Sequence, residues 1–157
     1  MKAKQDRNRR EFLAKTYGHR YRRIYMPHGS RCFYCADVAT NVDHCPALTS
    51  TQLFDEAKKR DWPPHYLLPA CGECNRRLCA RALFTPSVRA AYLMRKLDSE
   101  YERRFALWSE DEIAEMSKDF QRTIRARKAA LELLGKRLRS LEQCAIYGDE
   151  WAHEWAA

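Results

Sequence analysis

Four of the seven cysteines in this 157-residue chain form two identical units, Cys32-x-x-Cys35 and Cys71-x-x-Cys74. Two such knuckles supply four thiolates at the spacing that closes a tetrahedral zinc site. No other feature constrains the fold as much, because it brings segments separated by 35 residues to one point. That gap is longer than a simple zinc ribbon needs, so an insertion lies between the knuckles. Lys2, Lys4, Arg7, Arg9 and Arg10 lead into no apolar segment of the kind that makes a secretory leader. A disulfide framework is therefore not expected, and metal or plain burial must account for the cysteines. Cys79 and Cys144 read as small buried hydrophobes, and Cys45, beside His44, is an alternative ligand.

Charge supplies the second constraint. The chain has 29 Lys/Arg against 21 Asp/Glu, a net charge of +8, and residues 1–31 alone hold ten Lys/Arg against Asp6 and Glu11. A further basic excess lies at 71–97, where six Lys/Arg face only Glu73. Basic blocks around a neutral body point to a polyanion partner, a solvated tail being the plainer alternative. No apolar run approaches the roughly 18 to 20 residues of a membrane span, so a soluble, globular protein without a membrane partner is expected. The length suits one domain, or a small domain with a long appendage.

The pattern along the chain predicts a basic helix over 5–17, with Phe12 and Leu13 as its apolar contact, ending at Tyr17-Gly18. Residues 20–31 mix arginines with Tyr21, Ile24 and Tyr25, and Gly29-Ser30 signals a turn into the first knuckle. Short strands are expected within 38–48 and over 65–69, around a helix at 51–60 that Thr49 or Ser50 would cap. A helix over 75–84 would leave the second knuckle. Thr85-Pro86 starts the next helix, with Val88, Tyr92, Leu97, Tyr101 and Phe105 as its stripe. Ser109 to Glu112 is a capping box opening a helix that runs to about Tyr147-Gly148. The apolar edge of that helix (Ile113, Met116, Phe120, Ile124, Leu131, Leu134, Leu138, Leu141) calls for a helical hairpin or a homodimer through the C-terminal helices. Trp151 and Trp155 would cover a core.

In order, the chain presents Cys32-x-x-Cys35, Val42-Asp43-His44, and Cys71-Gly72-Glu73-Cys74-Asn75 entering a helix. This series resembles the HNH, or ββα-metal, nucleases of the treble-clef class, above all the form with two CxxC knuckles found in phage junction-resolving endonucleases. The likeness covers roughly residues 31–85. A looser one, from Leu68 to Asn75, over Leu83-Phe84-Thr85 and into the following arginine-rich helix, is to small HNH proteins of phages and prophages. The fold class it implies is mainly α with a small α+β core: a basic arm at 1–30, a zinc-stapled ββα-metal unit at 31–85, and long C-terminal helices at 86–157.

The resemblance implies a DNA endonuclease acting on duplex or branched DNA in the cytoplasm of a bacterial host. His44 would be the general base, while Asp43 and Asn75 would hold one Mg²⁺ or Mn²⁺ ion; Cys32, Cys35, Cys71 and Cys74 would bind structural zinc. Adjacent strand residues point to opposite faces, so Asp43 and His44 can share a site only at a bend, for which Pro46 is a candidate. Arg76, Arg77 and Arg81, following Asn75, and Arg20, Arg22, Arg23 and Arg31, before the first knuckle, are the expected phosphate contacts. Tyr66 stands where many HNH proteins carry a bracing Asn, and His65 beside it is a substitute contact. Cys79 stands where some relatives have a second His ligand; a thiol suits Mg²⁺ poorly. The Gly-rich loop usual after the Asp-His pair is absent. The alternative is a zinc-stapled nucleic-acid-binding or regulatory protein that has kept the scaffold without turnover.

Overall fold

The computed structural model describes residues 2–26, 29–56, 63–104 and 108–156. Helix α1 (Lys2–Tyr17) crosses a stretch without Gly or Pro and stops at Gly18, where a 3-10 turn, Gly18–Arg20, redirects the chain. Leu13 is its buried contact and Phe12 is exposed. Arg22 and Arg23 then form β1, a strand parallel to β3 (Tyr66–Ala70), with Tyr21 and Ile24 buried on either side. The basic segment thus enters the sheet at Arg22 and Arg23.

Strand β3 is central, in the order β1-β3-β2, and β2 (Asn41–Cys45) runs antiparallel to it. The β2–β3 ladder is unbroken from Asn41↔Ala70 to Cys45↔Tyr66. Asp43 and Cys45 share the buried face, and His44 lies on the other face opposite Leu67. Helix α2 (Leu48–Glu56) starts before both expected caps; the rest of its expected span, to residue 60, lies outside the described residues.

The second knuckle caps its own helix. Cys71 is the N-cap of α3 (Gly72–Leu78), its Sγ accepting from the Cys74 N–H at 3.4 Å. The helix ends at Cys79, whose φ of +43° lies in the left-handed region while its N–H still donates to the Asn75 carbonyl. It is therefore shorter than the expected 75–84, Arg81 lies beyond it, and Cys79 is exposed instead of buried.

Helix α4 (Pro86–Arg104) begins as expected, with Thr85 Oγ1 accepting from the Val88 N–H. Its buried face is Arg89, Ala90, Leu93 and Leu97, whereas Val88 is 48% exposed. Of the expected stripe Leu97 is buried, whereas at Val88 and Tyr92 the buried positions are the next residues along, Arg89 and Leu93. The Tyr101 and Phe105 side chains lie outside the described set. Ser109 makes the capping box with Glu112, but α5 (Glu110–Ala114) then stops. Gln121, from the first turn of α6 (Lys118–Glu154), donates Nε2 to the carbonyls of Ala114 and Met116. One expected helix is therefore two.

Helices α4 and α6 form the hairpin. Leu134, Leu141, Cys144 and Ala152 join Ala90, Leu93 and Leu97 in one core, and Phe120 at the far end stays 47% exposed. Ser87 and Asp149 lock the crossing, the Ser87 N–H donating to Asp149 Oδ1 (2.9 Å) and the Asp149 N–H to Ser87 Oγ (3.1 Å). Trp151 and Trp155 stack at 5.6 Å and meet Phe33 of the first knuckle edge-on at 6.5 and 6.0 Å. They cover a core, as expected. No described helix is long and apolar enough to cross a membrane.

Candidate functional site

The first knuckle is shaped by a short backbone loop. Gly29 turns at φ +86°, Arg31 and Val38 form a bridge, the Ala36 N–H donates to the Cys32 carbonyl, and Ala36 sits at φ +58°. The second knuckle is the N-terminus of α3. Together they bring the ligand atoms of Cys32, Cys35, Cys71 and Cys74 within 4.8 Å of one another, all four residues buried. Four Zn–S bonds of about 2.3 Å make a tetrahedron with S–S edges near 3.8 Å, and Cys35 Sγ lies 3.7 Å from Cys71 Sγ. The four thiols fit a metal ion such as zinc. Cys45 is no part of the cluster: it is fully buried, with its Sγ near the Phe84 carbonyl.

The cluster has a cationic neighbour that the sequence reading missed. Arg137 of α6 brings Nη2 to 4.0 and 3.9 Å from the Cys71 and Cys74 sulfurs, while Nη1 pairs with Glu73 inside the knuckle. Zinc with four thiolates carries a net charge of −2, so a guanidinium there is a favourable outer partner. Glu73 also receives Arg77, which reaches on to Glu100 at 2.8 Å. Burial pushes the Glu73 carboxyl up, but Arg137 and Arg77 outweigh it and hold it below its ordinary value. Arg77, expected as a phosphate contact, is thereby engaged by two carboxylates of the fold.

Beside this centre lies an open cavity of about 400 Å³. His44 and Asn75 line it, as do Asp43, Arg10 from α1, Arg76 and Cys79 from the end of α3, and Thr49. His44 is half-buried, its ring edge-on to Tyr21 at 5.0 Å, and burial first and Arg89 second lower its pKa. Asn75 is half-buried in the first turn of α3; the helix is capped by Cys71, so its amide is not used as a cap.

Asp43 departs from the expected arrangement. Arg89, wholly excluded from solvent, donates Nη2 to Asp43 Oδ1 at 2.8 Å and Nε to Oδ2 at 3.0 Å. The hydroxyl of Tyr34 donates to Oδ2 at 2.5 Å. Burial pushes the Asp43 carboxyl above its ordinary value, and Arg89 and Tyr34 offset that only in part. Because a protonated Asp43 would leave Arg89 uncompensated in the core, the group is a paired carboxylate. The continuous β2 ladder explains its direction: the expected bend at Pro46 comes after the strand, so Asp43 faces α4 and His44 the opposite side. With the Asp43 carboxylate paired to Arg89, His44 and Asn75 bring no free carboxylate to hold Mg²⁺ or Mn²⁺, so the residues present do not assemble the divalent-ion site that the resemblance implies.

The remaining arginines divide by position. Arg76 is exposed at the cavity, and Arg22, Arg23 and Arg31 are exposed near the sheet edge and first knuckle. Arg20 lies over the Tyr17 ring at 4.9 Å, and Arg81 over that of Tyr92 at 4.7 Å. His65 is buried and edge-on to Tyr21, with Nδ1 2.7 Å from the Pro63 carbonyl, so it braces the sheet. Arg89 was legible in principle: it stands four and eight residues before Leu93 and Leu97, on the face that the leucines bury. No family model matches this chain, and neither a curated protein nor a solved structure matches it.

Proposed function

We propose that the chain is an HNH-type endonuclease that hydrolyses phosphodiester bonds of duplex or branched DNA, with His44 as general base. The observation that carries this reading is the common cavity: His44 and Asn75 both line it, together with Arg10 and Arg76. A neutral imidazole accepts a proton from water, and the lowered pKa of His44 keeps the ring neutral at physiological pH. The two guanidinium groups match a phosphate in charge and in hydrogen-bonding geometry. The Asn75 amide offers a donor and an acceptor to the same space. A divalent ion in HNH chemistry neutralises charge on the phosphate and the leaving oxygen; in this chain Asp43 is committed to Arg89 instead.

The test is nicking of supercoiled, linear and branched DNA by zinc-loaded protein, with Mg²⁺, with Mn²⁺ and with EDTA. His44→Ala should lower the rate by about 10²- to 10⁴-fold, the usual contribution of a general base. Nicking that survives the substitution would sink the mechanism. The buried Asp43–Arg89 pair favours the second reading, a non-cleaving DNA-binding or regulatory protein on the same scaffold. DNA binding without nicking under any of these conditions would establish it.

A further inference from the structure

We infer that Arg89, and not a divalent metal ion, is the resident partner of Asp43, whose carboxylate fastens β2 to α4. Three donors converge on two oxygens: Arg89 Nη2 and Nε at 2.8 and 3.0 Å, and the Tyr34 hydroxyl at 2.5 Å. Arg89 Nη1 is also used, donating to the Leu83 carbonyl at 2.9 Å. The fork-to-fork pairing of guanidinium and carboxylate is the strongest geometry open to this pair. The side chains of Arg89 and Asp43 are 0% and 4% exposed, so the pair is shielded from bulk solvent.

A divalent ion bound to Asp43 would need an oxygen at about 2.0 to 2.2 Å and would stand against a guanidinium in a space without screening solvent. Moving Arg89 aside instead would strand a buried cation that cannot lose its proton. Neither route is open while α4 stays docked, and α4 is held by Ser87, Asp149 and the leucine core. The charge that a metal ion would bring to Asp43 is already supplied by the chain.

This inference goes beyond the proposed function and does not depend on His44 being the base. Mn²⁺ is titrated into zinc-loaded, full-length protein and followed by electron paramagnetic resonance, for the wild type and for Asp43→Asn. Mn²⁺ binding is expected to be absent, or to agree within about twofold between the two proteins. A wild-type site tighter than about 100 μM that weakens tenfold or more in Asp43→Asn would overturn the inference. Should that variant not fold, the wild type decides: the Arg89 Nε–H resonance should stay protected and unshifted as Mg²⁺ is added, and its loss or movement would overturn the inference. Neither readout requires catalysis, so a failed nicking assay and a failed inference are told apart.

Discussion

His44 and His65 both stand edge-on to the ring of Tyr21, at 5.0 Å each, and both are held neutral. For His44 burial is the larger cause and Arg89 the smaller; for His65 burial leads, partly offset by the Pro63 carbonyl, with Arg20 adding to it. Folding therefore lowers both values below the ordinary 6.5. In the window below 6.5 the unfolded chain takes up protons first, so stability from the neutral rings is complete above it and drains as pH falls through the folded values. Thermal melts should show Tm falling as pH drops from about 7.5 to about 5.5, and His65→Gln should flatten that slope. Catalysis by neutral His44 should show an acid limb in kcat/KM with its midpoint below 6.5; a midpoint above that would remove His44 as the base. At this scale the four-thiol cluster was legible and the partner of Asp43 was not. Asp43-His44 and the four cysteines stand out in the chain, but nothing local announces that Arg89, 46 residues on, answers Asp43.

The caps of α4 and α5 were legible because their signals are local: Thr85-Pro86 at one, Ser109 with Glu112 at the other. The break between α5 and α6 was not, since it depends on Gln121 reaching back to two carbonyls, and β1 was not, since its two residues are a strand only against β3. The two glycines of α6 separate local propensity from packing. A Cβ on Gly135 would meet only Arg139 Nη1, at 3.9 Å, so Gly135→Ala should gain about 1 kcal/mol of helix propensity. A Cβ on Gly148 would lie 3.0 Å from Cys144 Sγ and 3.4 Å from the backbone N of Ser87. Cys144 is fully buried, and Ser87 is fixed by Asp149, so neither neighbour has room to retreat. Gly148→Ala should lose about 1 to 3 kcal/mol to overpacking, more than the propensity gain. Denaturant melts should move in opposite directions for the two variants, and a stabilised Gly148→Ala would mean that the crossing is looser than this.

Over the whole molecule, the neutral sum of the helical half conceals a segregation. Residues 118–139 hold eight Lys/Arg against Asp119 and Glu132, whereas 109–117 and 140–156 hold four acids each and no Lys/Arg. Beside the Asp43–Arg89 pair, the four-thiol cluster joins this half to the sheet. All four cysteines belong to the same core as Leu93, Leu97, Leu134 and Leu141; Arg137 reaches the second knuckle, and Trp151 with Trp155 covers Phe33 in the first. A structural zinc ion contributes an apparent 10 to 16 kcal/mol, roughly, while a domain of this size has a net stability of about 5 to 15 kcal/mol. Removing the ion should therefore unfold the sheet and undock the α4–α6 hairpin in one transition. Tryptophan fluorescence and near-UV circular dichroism report the Trp151–Trp155 stack on Phe33, and far-UV circular dichroism reports the helices; with a chelator titrated in, the three signals should change together and return with zinc. If the tryptophan signals persisted in metal-free protein, the leucine core alone would be holding the hairpin, and the cluster would be an accessory to the fold instead of its fastening point.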